Sequence, residues 1–383
     1  MTRPLKVIQA VGWYFPDTIG GTEIYVAAVA KRLRASGVET LIAAPRAGAA
    51  ATSEYTHEGT PVFRYSIPAA PTRAEARGED TARGAEAFHQ WLAEQQPDIV
   101  HFHTFVTGLD LAEVRAARQV GARVFVTTHS SALGYLCLRG TMMRWGQELC
   151  DGVIRPHTCA ACALQAHGVP RALAHAATAA PMGMARQFDR VDHPVGTALG
   201  LAAYLERRQQ RQRDLFGEIE RFFVLTEHAQ RALVANGAPA RRVEVNRLGI
   251  DLSCVRPTPR PVRDAGMPIT VGFLGRLDPV KGLDDLLDAI DLLPESTAIR
   301  CDIRGIADQP ASVALMARAC RAAAVDARVT VSGPVPRAEI GHVLASWDVL
   351  CCPGKSLEGG PTVALEAMAV GTPVVATHLG GIA

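Results

Sequence analysis

Short, nearly continuous apolar runs alternate along the chain with longer stretches in which apolar residues recur every three or four positions. This pattern predicts strands and amphipathic helices in turn. The run "LKVIQAV" at 5–11 predicts a first strand, followed by a loop with Gly20 and Gly21 and a helix, "TEIYVAAVAKRLRASG", ending at Gly37. The strand "ETLIAA" follows at once. The same order returns with "DIVHFH" at 98–103, a helical segment from Leu109 to Gln119, and the strand "ARVFVTTH" ending at His129. Between about 131 and 217 the rhythm changes to a cysteine-bearing stretch, an alanine-rich piece and a charged helix, "YLERRQQRQRDLFGEIERF". It resumes with "RFFVLT", a helix from Glu227 to Asn236 and the strand "RRVEVNR".

Pro257, Pro259, Pro261 and Pro268 then cluster in a composition that reads as a stiff linker. Beyond it, "PITVGFLG", "AIRCDIRG", "ARVTVSG", "WDVLCCP" and the end of "EAMAVGTPVVAT" read as strands separated by helices. Strands apolar throughout, set between helices, argue for parallel sheets covered on both faces. The expected fold class is α/β, with two Rossmann-like domains facing each other across a cleft. The expected boundaries are 1–255 for the first domain, with a cysteine-containing insertion at about 131–165, then a linker at 256–267 and a second domain at 268–383. A length of 383 residues suits two such domains. No repeat of solenoid length is evident.

Composition narrows the function classes. Forty basic and 38 acidic residues leave a net charge of +2, which gives no global field to hold a polyanion, so nucleic acid is not an expected partner. The apolar stretch before Trp13 is too short for a signal segment, and no run reaches the roughly 18 apolar residues of a membrane span, so the chain reads as cytoplasmic. Arg207, Arg208, Arg211 and Arg213 share a predicted helix with acidic neighbours. A solvated helix face is the expected reading. The alternative is attraction to anionic lipid at the inner face of a membrane.

The segment "SLEGGPTVALEAMAVGTPVVA", 356–376, sets Glu358 and Glu366 eight positions apart at a strand-to-helix transition. In an open parallel sheet, ligands bind beyond the carboxyl ends of the strands. Pro361 suits the first turn of a helix, whose free amides and dipole attract an anion. Gly359 and Gly360 let a ligand come close to the backbone. A carboxylate at either end would hold the hydroxyls of an elongated ligand. A second phosphate signal is "GFLGRLDPVKG", 272–282, where Gly275 follows a strand and Arg276 and Lys281 can both reach a diphosphate. It is not a P-loop, and no G-x-G-x-x-G follows the first strand.

Together "GRLDPVKG", "EGGPTVALEAMAVGTPVVA" with its E-x7-E spacing, "NRLGID" at 246–251 and "FPDTIGGTE" near the start resemble the retaining glycosyltransferases of family 4, which have the GT-B fold. The resemblance implies a nucleotide-sugar donor bound mainly by the second domain and a glycan or lipid-linked acceptor, with no cofactor required for transfer. It implies that Arg276 and Lys281 neutralise the diphosphate, Glu358 meets the transferred sugar, Gly359, Gly360 and Thr362 contact the donor, and Glu366 takes the ribose hydroxyls. Gly20 and Gly21 would bring backbone near the phosphates or acceptor, and His129 would face the sugar, a capping or core histidine being the alternative. Members of the family continue past the equivalent of Gly380-Gly381, so the second domain is expected to be truncated. Competing expectations are a nucleotide-sugar epimerase and a non-catalytic nucleotide-sugar-binding fragment.

One stretch departs from the family. "CLRGTMMRWGQELCDGVIRPHTCAAC" places Cys137, Cys150, Cys159 and Cys162 at C-x12-C-x8-C-x2-C, with His157 nearby. Four thiols ending in a C-x-x-C pair suit structural zinc, or an iron–sulfur cluster, while small apolar filler is the alternative. The nine cysteines of the chain do not read as a disulfide framework.

Overall fold

The computed structural model describes residues 3–18, 20–129, 137–252, 255, 264, 266–307 and 309–383. Most of the expected linker lies outside the described residues. The chain divides into two compact units, Met1–Arg247 and Leu248–Ala383.

The first unit is built on strands β1 (Lys6–Ala10), β2 (Glu39–Ala47), β3 (Ser53–His57), β4 (Thr60–Ile67), β5 (Ile99–Phe102) and β6 (Arg123–Thr128), a small hairpin β7 (Met143–Arg144) and β8 (Glu148–Leu149), and strands β9 (Arg221–Val224) and β10 (Val243–Val245). The main sheet runs β10-β9-β6-β5-β1-β2-β4-β3, parallel except for the edge strand β3. β3, β4 and the helix Glu86–Gln95 lie in a stretch for which the periodicity predicted no elements. Edge strand β3 alternates exposed and half-buried residues over polar sequence, and so carries little apolar signal. Central strands show the opposite pattern. Ile8, Ala10, Ile42, Ala43, Ala44, Val100 and Phe102 are buried because helices cover both faces of the sheet.

From Cys137 to Glu218 the chain leaves the alternating plan for the hairpin β7–β8 and the helices Pro156–Ala166, Arg171–Thr178, Met182–Phe188 and Pro194–Glu218. These pack through small residues, Ala160, Ala161, Ala163, Ala174 and Ala202, around Trp145, Leu164, Leu201 and Leu205. The arginines of the long helix correct the solvated-face reading. Arg207 pairs with Glu79 at 2.8 Å and with the buried Asp189, while Arg211 reaches Asp110 at 3.2 Å. Two of the four cations thus hold the helix to its own unit.

The second unit has a five-stranded parallel sheet, β13-β12-β11-β14-β15, from β11 (Ile269–Arg276), β12 (Ile299–Ile306), β13 (Val329–Ser332), β14 (Val349–Cys352) and β15 (Val374–Ala376). One core, around Leu283, Leu287, Ile290 and Ile303, lies under the helix Leu283–Asp291; the other gathers Val343, Leu344, Trp347, Leu350 and Ala367. Burying each large aliphatic side chain contributes about 1.5–3 kcal/mol. Among the described residues, no helix is long and apolar enough to cross a membrane.

Both sheets reverse their strand order once. In the first, β1 lies between β2 and β5; in the second, β11 lies between β12 and β14. The loops leaving the carboxyl ends of β1 and β5, and of β11 and β14, therefore diverge to opposite faces and leave a crevice at each reversal, where doubly wound sheets bind ligands.

Candidate functional site

At the reversal in the second unit, β11 delivers Arg276 and then the turn Pro279–Lys281, while β14 delivers the loop with Glu358, Gly359 and Gly360. The Asp278 side chain accepts the Val280 N–H at 3.0 Å and shapes the turn so that Lys281 projects from its end. Lys281 Nζ donates to Glu358 Oε2 at 2.7 Å, with both side chains 28–29% exposed. The two signals read separately in the sequence are thus one contact. Arg276 is exposed and makes no side-chain ion pair or hydrogen bond among the described residues.

The close approach of the two loops depends on Gly282. Its φ is +75°, and a Cβ there would lie 1.8 Å from the Pro353 carbonyl oxygen. Lys355 straps the same junction, donating its N–H to the Val280 carbonyl at 2.8 Å and its ammonium to Asp284 and Asp285 at 2.7 and 2.8 Å. On the other side, Gly381 N–H donates to the Glu358 carbonyl at 2.9 Å, and a Cβ on Gly380 would meet that oxygen at 2.2 Å. Sequence reasoning had used these glycines only as a family landmark. The φ of +66° at Gly380 and the backbone packing of both make them the brace of the Glu358 loop.

The helix Thr362–Ala369 starts directly after this loop, with Pro361 at its N-cap and no side chain capping it. Its first amides therefore keep their donors for a ligand. Glu366, one turn in, is 7% exposed, and burial raises its pKa against a smaller opposing pull from Arg337. No hydrogen bond to its carboxylate is present among the described residues. A buried carboxyl in this condition is costly unless a ligand supplies donors, and paired hydroxyls do so. Gly275 is the penultimate residue of β11, and a Cβ there would meet open space.

At the reversal in the first unit the turn carries an acid and the nearby histidines are neutral. Gly20 and Gly21 begin the helix Gly21–Ala35, again without a side-chain cap. Gly21 faces open space, while the carboxylate of buried Glu23 folds back over Gly20. That acid makes the turn better suited to hydroxyls than to a phosphate.

His129 ends β6 in a chain of polar groups that the sequence reading missed. Gln9 Oε1 lies 2.6 Å from His103 Nε2, and His103 Nδ1 lies 3.0 Å from His129 Nε2. With the Gln9 oxygen accepting, His103 carries its proton on Nε2, its Nδ1 accepts from His129, and His129 keeps Nδ1 as a bare acceptor. Burial holds all three neighbouring histidines neutral: His101 is pushed down to about 3, His129 to about 4, and His103 well below its ordinary value. Tyr25 packs edge-on against His129 with ring centroids 4.9 Å apart. The H-x-H spacing in "VHFH", at the end of a buried strand, was the available signal.

Cys137, Cys150, Cys159 and Cys162 belong to neither crevice. They line one cavity in the helical excursion of the first unit, and all four are free and partly buried. His157 is not with them; its Nδ1 lies 2.6 Å from the Thr178 carbonyl oxygen.

Comparison with known proteins follows the same division. Residues 19–177 match the family model described as Glycosyltransferase Family 4, and residues 257–383 match the one described as Glycosyl transferases group 1. The D-inositol 3-phosphate glycosyltransferase of Mycobacterium leprae (strain Br4923) is 31% identical over 194 residues, covering 48% of this chain and 44% of that protein. The protein of that description from Mycobacterium tuberculosis (strain ATCC 25177 / H37Ra) is 31% identical over 182 residues, 45% of this chain and 36% of its own. The match thus spans less than half the length of these relatives. Among solved structures, sucrose-phosphate synthase from Thermosynechococcus elongatus superposes with a TM-score of 0.61 at 16% identity, over 99% of this chain and 82% of that one. Anabaena HepE in complex with UDP-glucose gives a TM-score of 0.58 at 15% identity, again over 99% and 82%. These likenesses establish the fold.

Proposed function

Since this chain belongs to glycosyltransferase family 4 and has the GT-B fold, we propose that it is a retaining, hexosyltransferase-type enzyme. It moves a sugar from a nucleotide-diphosphate sugar to a hydroxyl of a glycan or lipid-linked saccharide. The observation that carries this reading is the Lys281–Glu358 contact at the reversal of the second sheet, beside an uncapped helix start and the buried carboxyl of Glu366. The UDP-glucose complex of HepE supports the same class of donor.

In the free protein Glu358 holds the Lys281 ammonium in place. A diphosphate entering the crevice brings more negative charge than one carboxylate and draws Lys281 and Arg276 to itself. Glu358 is then released toward the sugar hydroxyls. The amides of Thr362 and of the Gly359–Gly360 turn complete the anion site, and Glu366 accepts from the ribose. Cleavage of the bond between sugar and phosphate places positive charge on the anomeric carbon and negative charge on the leaving diphosphate, an oxocarbenium-like state. The cations and the helix start stand where that negative charge grows, and they stabilise the transition state more than the ground state. The leaving phosphate oxygen takes the proton of the acceptor hydroxyl on the same face, which retains configuration without a protein nucleophile. In the first unit, His129, neutral, offers Nδ1 as an acceptor for a sugar hydroxyl, and Gly20 and Gly21 offer backbone to phosphate or acceptor.

A panel of nucleotide sugars assayed for donor hydrolysis tests the reading without knowledge of the acceptor. Turnover of at least one donor that is lost in Lys281→Ala, with the anomeric configuration of the first-formed sugar retained by NMR, is the expected result. Binding of nucleoside diphosphate with no turnover of any donor would make the chain a binding protein.

A further inference from the structure

The four cysteines reach their cavity from three separate places in the chain. Cys137 precedes the hairpin β7–β8, Cys150 follows it, and Cys159 and Cys162 sit on the helix Pro156–Ala166. Residues three apart on a helix share a face, so the C-x-x-C pair presents both sulfurs to the same space.

Two backbone amides already point at sulfur. Trp145 N–H donates to Cys162 Sγ at 3.4 Å, and Arg155 N–H donates to Cys159 Sγ at 3.3 Å. A thiol is a weak acceptor, whereas a thiolate bound to a metal is a good one, and amides aimed at the sulfurs are the outer shell that such sites use. Arg139, Arg144, Arg155 and Arg208 line the same cavity, with Arg144 and Arg155 paired to Asp151 and Arg139 bonded to Gln165.

We propose that Cys137, Cys150, Cys159 and Cys162 bind one zinc ion as a tetrahedral tetrathiolate, which staples the hairpin β7–β8 to the helix that follows it. The cavity between them, about 50 Å³, has room for a few water-sized spheres of roughly 10–15 Å³ each, and so for a single ion; iron with acid-labile sulfide in the purified protein would instead mark a cluster. Among the described residues no three Cys, His, Asp or Glu side chains stand together at metal-holding spacing. Binding therefore draws the four sulfurs closer together than they stand in the metal-free chain. Four thiols give up their protons to solvent as four Zn–S bonds form, and the site takes a net charge of −2.

The test is metal analysis of the purified full chain, with cobalt as a spectroscopic substitute. About one zinc per chain is expected, falling to background in the double variant Cys159→Ser, Cys162→Ser and unchanged in Cys320→Ser, whose thiol is exposed and outside the cavity. Because the double variant can also fail to fold, cobalt is added to reduced, chelator-treated wild-type protein. Sulfur-to-cobalt charge-transfer bands and the intense visible bands of a tetrahedral tetrathiolate support the site. Metal-free protein that takes up no cobalt and whose cavity thiols alkylate at once would overturn it, as would iron with acid-labile sulfide. None of these readouts depends on transferase activity.

Discussion

At the crevice of the first unit three histidines lie buried and neutral against Gln9 and Thr127, whereas at the crevice of the second the principal side chains are half-exposed ions. Strand order is alike at the two places, a single reversal in a parallel sheet, yet the chemistry placed there is opposite. Fixed positive charge with retained access to solvent suits an incoming diphosphate, whose own charge must be compensated. A dry, uncharged acceptor such as His129 suits a sugar hydroxyl, which needs orientation rather than neutralisation. The shared fold thus supplies location, and the local burial of ionisable groups sets what each location can hold.

The contrast can be broken first on the charged side. Lys281→Ala and Glu358→Gln should each reduce donor turnover by on the order of 10²–10³ while leaving the thermal midpoint nearly unchanged, because the pair is partly exposed and worth little to stability. Equal loss of folding would show the contact to be structural. Next, Gly282→Ala places a Cβ against the Pro353 carbonyl in a left-handed backbone. It should cost about 1–3 kcal/mol of stability in the second unit and separate the loops, measurable as a lowered unfolding midpoint with weaker nucleoside-diphosphate binding.

On the neutral side, His129→Ala should lower turnover by roughly tenfold, consistent with loss of one hydrogen bond of about 1–1.5 kcal/mol. His103→Ala should act through His129, reducing kcat with little change in donor KM; an unchanged kcat would remove His103 from the chain of contacts. The pH response bears on stability rather than on turnover. His101 and His129 are held to about 3 and about 4 in the folded protein, so the unfolded chain binds more protons wherever the pH is below 6.5 and above these values. Stability is therefore complete above about 6.5 and lost as pH falls toward 4, by at most about 1.4 kcal/mol per histidine per pH unit. Replacing His101 by Gln should flatten that slope in acid unfolding curves. A slope that survives the substitution would place the acid sensitivity elsewhere.

The candidate residues of the second unit were legible because each lies next to a local punctuation mark. Gly359 and Gly360 precede the helix that carries Glu366, and Lys281 precedes Gly282, where the chain must turn. Their contact was not legible: Lys281 and Glu358 are 77 positions apart, and their spacing in the sequence carries no distance. Nor was the role of the arginines on the helix Pro194–Glu218, since their partners Glu79, Asp110 and Asp189 are remote in the chain and the charge pattern by itself looks solvated. The polar edge strand β3 escaped because an edge strand need not be apolar on both faces.

By itself, then, the sequence determined the alternation of strand and helix, the parallel sheets that such alternation requires, and the turns that bear the motifs, because all of these follow from side-chain periodicity and backbone freedom over a few residues. Tertiary structure alone decided that β1 pairs with β5 across 92 positions, with Val7 opposite Ile99, that His103 meets Gln9 and His129, and that four cysteines share one cavity. Which strand lies beside which depends on the apolar area buried by the whole sheet and its helices, a sum over distant residues that no local pattern contains.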